Sequence, residues 1–224
     1  MTIKLLVSDM AGTTVRDDGI VESSFTDAIA QFGLHPGGAE FDDALHVVRT
    51  TMGMSKLVVF NMILGDEMTA TRATAAFEEA IATRIEAGEL AALPGAEDTL
   101  RSLREQGMLI ALTTGFGNET RELVLDALGW KDLADLTLSP GHGLRGRPHP
   151  DMALSALIRL GVDDVREMAT VGDTASDLLA GWRSGAGVVA GVLTGAHDRA
   201  TLSAAPHTHI LDSILDLPPV LAGG

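Results

Sequence analysis

The strongest constraint on the fold is a change of periodicity at Leu93-Pro94-Gly95. Beyond it, short apolar runs alternate with segments of helical pattern. A helix over 96–106 precedes a strand over 109–114, and a helix over 118–128 stops at Gly129 before a strand over 135–139. A helix over 150–160 opens on Pro and closes at Gly161, since a fixed φ suits a helix start and a left-handed turn its end. A strand over 168–171, a helix over 174–185, a strand over 188–193, a short helix and a strand over 208–211 complete the series. Near the N-terminus, Ile3 to Ser8 is one more apolar run, short enough for a buried strand. Alternation at this spacing requires parallel strands, because each crossover helix returns the chain to the same sheet edge. Ligands of such sheets bind at the carboxyl ends of the strands.

Between the first strand and residue 94 the pattern is different. Asp27 to Gly33 ends one helix, and Phe41, Leu45 and Val48 keep helical spacing over 41–51. Residues 55–64 and 70–87 are also helical, and Gly88 closes the last. The expected fold is therefore α/β: a Rossmann-like parallel sheet core with helices on both faces, formed by residues 1–16 and 94–224, plus an all-helical insert over 17–93. With 224 residues and 46% hydrophobic composition the chain can fill such a core, and the absence of Tyr leaves small apolar residues to do most of the packing.

A net charge of −15 argues against a nucleic-acid or acidic-membrane partner, which would need Lys/Arg patches. It does not exclude a small phosphate, because a bound divalent cation inverts the local sign. Without Cys there is neither a disulfide framework nor thiolate chemistry. No signal-peptide pattern and no apolar stretch of bilayer length is visible, so a cytoplasmic location is expected.

Four segments fall at or just beyond expected strand ends: Asp9 with the turn Ala11-Gly12-Thr13-Thr14; Thr113-Thr114-Gly115; Gly146-Arg147-Pro148; and Gly172-Asp173-Thr174-Ala175-Ser176-Asp177. Any one alone reads as a turn or a capped helix. Together, on one sheet edge, they suit phosphoryl transfer. Asp9 can attack phosphorus as a nucleophile. Thr113 or Thr114, with the backbone N–H groups that follow, can hold phosphoryl oxygens. Arg147 can neutralise charge on nucleophile and phosphoryl group. Asp9 and Asp173 offer hard oxygens to Mg²⁺, with Asp177 as an outer or water-mediated ligand.

These four segments resemble the four motifs of the haloacid dehalogenase superfamily, over essentially the whole chain. In that family the helical insert is a cap that closes over the core site. The resemblance implies substrate or phosphate contacts from Ala11, Gly12, Met52, Gly53, Thr113, Thr114, Gly115 and Arg147, and a metal held by Asp9, the Ala11 carbonyl, Asp173 and Asp177. It also implies a small phosphonate or phosphate substrate and, by analogy, a homodimer through cap helices.

Two residues narrow the chemistry. Phosphatases of the family carry an acid–base aspartate two positions after the nucleophile; here that position is Ala11, which cannot transfer a proton. An alanine there resembles the phosphonatase branch, in which a cap lysine forms a Schiff base with an aldehyde and the carbon leaves phosphorus as an enamine. That branch has a Met-Gly-x-x-Lys segment, matched by Met52-Gly53-Met54-Ser55-Lys56, and Gly-Arg-Pro where most relatives use Lys. Ser55 reads as an N-cap, which puts Lys56 in the first turn of an apolar helix. The helix dipole and burial both lower an amine pKa there. A phosphatase or phosphotransferase with a relocated acid is the alternative. The chain departs from the branch at Val59, where it has a proton-relay histidine, and in lacking its cysteine. Among the histidines, His149 is expected to cap the following helix rather than move a proton. His46 is a weaker candidate, and His207 and His209 carry no assigned role.

Overall fold

In the computed structural model, which describes residues 2–222, the alternating elements form one six-stranded sheet. The chain enters through β1 (Leu5–Asp9) and continues into four helices, α1 (Ile20–Ala30), α2 (Ala39–Thr50), α3 (Lys56–Leu64) and α4 (Glu67–Glu86). Then follow α5 (Ala96–Glu105), β2 (Leu109–Thr113), α6 (Asn118–Leu128), β3 (Leu136–Leu138), α7 (Asp151–Arg159), β4 (Met168–Gly172) and α8 (Ala175–Ser184). The chain ends with β5 (Val188–Val192), α9 (Arg199–Ala204), β6 (His209–Leu211) and α10 (Leu217–Ala222). The strand order is β3-β2-β1-β4-β5-β6, and every neighbouring pair is parallel. The chain winds outward from β1 on one side and from β4 on the other. Their crossovers diverge there and leave a crevice at the carboxyl ends.

All five residues of β1 are buried, which explains its unbroken apolar run. Leu6 faces one core, with Leu100, Leu103, Val124 and Leu125 from α5 and α6 and Leu217 and Leu221 from α10. Leu5 and Val7 face the other, with Met152, Ala153, Ala156 and Leu157 from α7. Alternating side chains of one strand thus anchor helices on both faces.

The four helices between β1 and α5 pack around Phe25, Phe60 and Phe77, with ring centroids 4.9, 4.7 and 6.2 Å apart. Phe77 lies 6.1 Å from Phe116, which sits in the loop after β2. Four of the six phenylalanines thus seal the helical stretch against the sheet, where large rings bury the most area per residue. Its two connections run side by side: Arg16 N donates to Ala91 O at 2.9 Å and Leu93 N to Thr14 O at 2.9 Å.

Three local expectations are corrected. β3 is shorter than 135–139: Asp135 donates its N–H to Ile110 O, but its carboxylate, where a ladder would use a backbone carbonyl, accepts from Ile110 N and pairs with Arg104. Pro150 is the N-cap of α7 rather than its first residue, since the Asp151 carboxylate is held by Arg145. Ser55 occupies the N-cap position of α3, but its side chain makes no capping hydrogen bond.

Candidate active site

Sheet register brings the motif residues together. Asp9, the last residue of β1, pairs with Thr113 of β2, and Ser8 pairs with Val171 of β4, one residue before Gly172. After Asp9 the chain reverses in a tight turn, in which Met10 O accepts from the N–H groups of Thr13, Thr14 and Val15. Gly12 makes this possible: its φ is +83°, and a Cβ there would collide with the Asp173 carboxylate. The Gly12 N–H, for which the resemblance implies a phosphate contact, donates to Val15 O at 2.7 Å within this turn.

Three buried carboxylates and one buried guanidinium occupy the crevice. Arg147 meets Asp9 Oδ1 at 2.6 Å and Asp177 Oδ1 at 2.9 Å. It also donates to Thr113 Oγ1 at 2.8 Å and to Gly53 O at 3.4 Å. Its Arg147–Pro148 peptide is cis. Asp173 accepts from Thr13 Oγ1 at 3.2 Å and from Ala196 N at 2.7 Å. Asp177 closes a capping box with Thr174 at the start of α8. Oxygens of Asp9, Asp173 and Asp177 lie within 4.8 Å of one another. Burial raises the Asp9 pKa to about 7, and the nearby Asp177 adds to this despite the opposing pull of Arg147. Asp173 is pushed well up by burial and by the charges of Asp9 and Asp177. One cation does not balance three carboxylates, and the donor set suits a hard metal ion.

Facing this cluster is a cavity of about 30 Å³, lined by Asp9, Ala11, Arg147 and Asp173 from below. Met52, Gly53 and Lys56 line it from the helical stretch, Thr114, Gly115 and Phe116 from the loop after β2. Gly53 has φ +82°, and a Cβ on it would come within 2.5 Å of Thr174 Oγ1, so only glycine brings this turn down onto the crevice. Lys56, the first residue of α3, is 5% exposed. Its ammonium lies 5.2, 5.5 and 5.3 Å from the ring centroids of Phe25, Phe77 and Phe116. No carboxylate among the described residues lies within ion-pair distance of it. Burial lowers its pKa to about 8, opposed by the more distant charges of Asp17, Glu78 and Asp9.

The structure therefore gathers Asp9, Ala11, Lys56, Met52, Gly53, Thr114, Gly115, Arg147 and Asp173 around one space. Thr113 is not among them: its hydroxyl donates to Ser8 O and accepts from Arg147, so it orients the arginine. His149 is exposed and does not cap α7; its backbone N–H donates to Gly146 O. Val59 is buried in the core. Sequence reasoning assigned no role to Thr174, Asp17 or Glu78. The Thr174–Asp177 capping box was visible as a T-x-x-D pattern. Asp17 lines the cavity but is indistinguishable in sequence from its neighbour Asp18. Glu78, whose carboxylate accepts from Gly117 N at 2.9 Å and from Thr120 Oγ1, clamps α4 to the start of α6 without any motif.

Comparison with known proteins agrees with this geometry. Residues 3–185 match the family model for haloacid dehalogenase-like hydrolases. The chain is 29% identical to phosphonoacetaldehyde hydrolase of Bordetella pertussis, covering 98% of this chain and 91% of that protein. It is 30% identical to a protein named probable phosphatase IndB of Dickeya dadantii, covering 95% and 91%. Its backbone is similar to the crystal structure of a phosphonoacetaldehyde hydrolase-like protein from Oleispira antarctica, with a TM-score of 0.86 at 22% identity over 100% of this chain and 92% of that one. A hydrolase from Pseudomonas syringae aligns with a TM-score of 0.84 at 22% identity, over 100% and 99%.

Proposed function

The chain belongs to the haloacid dehalogenase-like hydrolases, and from that premise we propose that it is a magnesium-dependent, phosphonatase-like enzyme cleaving the carbon–phosphorus bond of phosphonoacetaldehyde or a related carbonyl phosphonate. One observation carries this reading: Asp9 and Lys56 meet in a single cavity, and the residue two positions after Asp9 is an alanine that can give no proton. The relatives named phosphonoacetaldehyde hydrolase support the same substrate class.

Lys56 supplies the amine. An ordinary lysine is protonated at neutral pH, whereas a pKa near 8 leaves a useful fraction free to attack a carbonyl carbon. Condensation with the aldehyde expels water and leaves an iminium. Asp9 then attacks phosphorus: an O–P bond forms, the C–P bond breaks, and its electron pair passes into the iminium to give an enamine. The leaving carbon therefore needs no proton at that moment, which makes Ala11 compatible with turnover. Hydrolysis of the aspartyl-phosphate and of the enamine releases phosphate and the aldehyde. Arg147, held by Asp177 and Thr113, offsets charge on Asp9 and on the incoming phosphonate.

The uncompensated carboxylates fit a divalent cation. Asp9, Asp173 and Asp177 would hold Mg²⁺ together with the Ala11 carbonyl, and the ion would supply positive charge to the phosphoryl oxygens. A cavity of about 30 Å³ has room for roughly one water. Lys56 and Arg147 also border a wider cleft of about 540 Å³, and for a substrate to reach Asp9 and Lys56 together residues 17–93 would swing as a cap about the paired connections at Arg16–Ala91 and Thr14–Leu93.

The test is phosphate release from phosphonoacetaldehyde with Mg²⁺, compared between wild type and Lys56→Ala. The reading expects turnover in wild type and a loss of at least about 10³-fold in the variant. Equal rates in the two proteins, or release only from phosphate esters, would refute it.

A further inference from the structure

We propose that Asp17 is the proton carrier of the amine–carbonyl condensation, taking the place of the histidine that Val59 replaces. This rests on the reading of Lys56 as the reacting amine. Five ionisable side chains line the cavity: Asp9, Asp17, Lys56, Arg147 and Asp173. Asp9 is ion-paired with Arg147, Asp173 is held by Thr13 and Ala196, and Arg147 does not release its proton. Of the groups lining this cavity with Asp9, that leaves Asp17 to exchange protons with Lys56. Glu78 acts on Lys56 electrostatically, but it lies outside the cavity and its two oxygens are taken by Gly117 and Thr120. His149 and Glu78 line a separate, wider cleft that Lys56 also borders but Asp9 and Asp17 do not, and His149 is exposed there.

The position of Asp17 is fixed from both sides. It directly follows the paired connection at Arg16, and its Oδ1 accepts from Val21 N at 3.1 Å in the first turn of α1. It therefore stands at the base of the helical stretch and faces the cavity that α3 closes. Among the charged groups around Lys56, Asp17 has the largest effect on the amine. Burial raises the pKa of Asp17 in turn, which brings the two groups closer in proton affinity.

The proton balance closes. The Asp17 carboxylate takes a proton from the Lys56 ammonium, and the free amine attacks the carbonyl carbon to form the C–N bond. The resulting alkoxide takes the proton back from Asp17 and becomes a hydroxyl. Asp17 then removes a second proton from nitrogen and delivers it to that hydroxyl, which departs as water as the C=N bond forms. Asp17 finishes as a carboxylate, ready for the next cycle.

The experiment is borohydride trapping of the lysine adduct with phosphonoacetaldehyde, read as mass gain on the Lys56 peptide over time and across pH. Wild type is expected to trap rapidly, with an acidic limb where Asp17 takes up a proton. Asp17→Asn keeps the oxygen that accepts from Val21 N; it should trap about 10²-fold more slowly and lose that limb. Added formate should restore part of the rate to Asp17→Ala, a rescue that a merely structural role would not show. Asp18→Asn, altered at an exposed residue paired with Arg16, should behave as wild type. Trapping by Asp17→Asn at the wild-type rate and pH profile would overturn the assignment while leaving the Lys56 chemistry intact. Failure of wild type to trap at all would overturn both.

Discussion

The sheet edge and the pocket above it treat buried charge in opposite ways. At the edge, Arg147 is tied to Asp9 and Asp177, and every carboxylate has a donor. In the pocket, the ammonium of Lys56 sits among three phenylalanine rings with no ion-pair partner among the described residues. Pairing preserves charge, whereas burial without a carboxylate partner makes charge expensive and reversible, even against the attraction of the ring faces for the ammonium. A phosphonate and its nucleophile need the first environment, and an amine that must lose a proton needs the second. The difference is written into the scaffold. Arg147 is fixed by side chains from β1, β2 and α8, while Lys56 is carried by a helix whose first turn lacks a side-chain cap.

Truncating the paired cation should have the largest effect of all. Arg147→Ala leaves three carboxylates facing one another without a countercharge, so a loss of about 3–5 kcal/mol is expected in denaturant unfolding without divalent cation. A loss below 1 kcal/mol would show that the edge does not depend on its arginine. Lys56→Met should act in the opposite sense, because it removes an unpaired charge and keeps the apolar stem. Its sign is clearest as a function of pH. The folded-state pKa is about 8 against an ordinary 10.5, so between these values the unfolded chain binds more protons. Wild-type stability should then rise with pH across about 8 to 10.5 relative to Lys56→Met, by about 3 kcal/mol in all. Parallel stability curves for the two proteins would remove the contrast.

A divalent cation should discriminate the two regions at slightly smaller amplitude. Mg²⁺ at one hundred times its dissociation constant is expected to stabilise wild type by about 2.7 kcal/mol, read as a rise in melting temperature. Asp173→Asn should lose most of that rise, and Lys56→Met should keep it in full. A rise that disappears in Lys56→Met would mean that the pocket and the edge are one electrostatic unit.

Much of this was legible in the sequence, and the exceptions share a cause. β1, β2, β4 and β5 carry apolar runs long enough to state their own limits, and α6 is bounded by Gly117 and Gly129. Parallel topology then placed Asp9, Thr114, Arg147 and Asp173 on one edge without any tertiary information. What escaped were side chains whose use depends on a partner remote in sequence. The sequence offers Thr113 or Thr114 as a phosphate ligand, and nothing local says that the Thr113 hydroxyl lies beside Arg147. The rings around Lys56 come from α1, α4 and the loop after β2, so no spacing rule joins Phe25, Phe77 and Phe116. Asp17 and Asp18 are chemically identical neighbours, and only the fold turns one inward and leaves the other with Arg16.

Ser55 gives the finest test of the contrast between a fixed edge and a loosely ended pocket. Its position before an apolar helix reads as an N-cap, yet it makes no capping hydrogen bond, whereas Thr174 at the start of α8 closes a full capping box with Asp177. A cap that forms is worth about 1 kcal/mol, and one that does not form contributes little. Ser55→Ala should therefore cost less than about 0.5 kcal/mol, while Thr174→Ala should cost at least twice that in the same unfolding assay. A missing cap also keeps a side-chain acceptor away from the first turn of α3, where it would favour the charged form of Lys56. Ser55→Asp would add such an acceptor, and the pH at which Lys56 becomes nucleophilic should move upward. An unchanged pH dependence in Ser55→Asp would mean that the pKa of Lys56 is set by burial and not by the helix end.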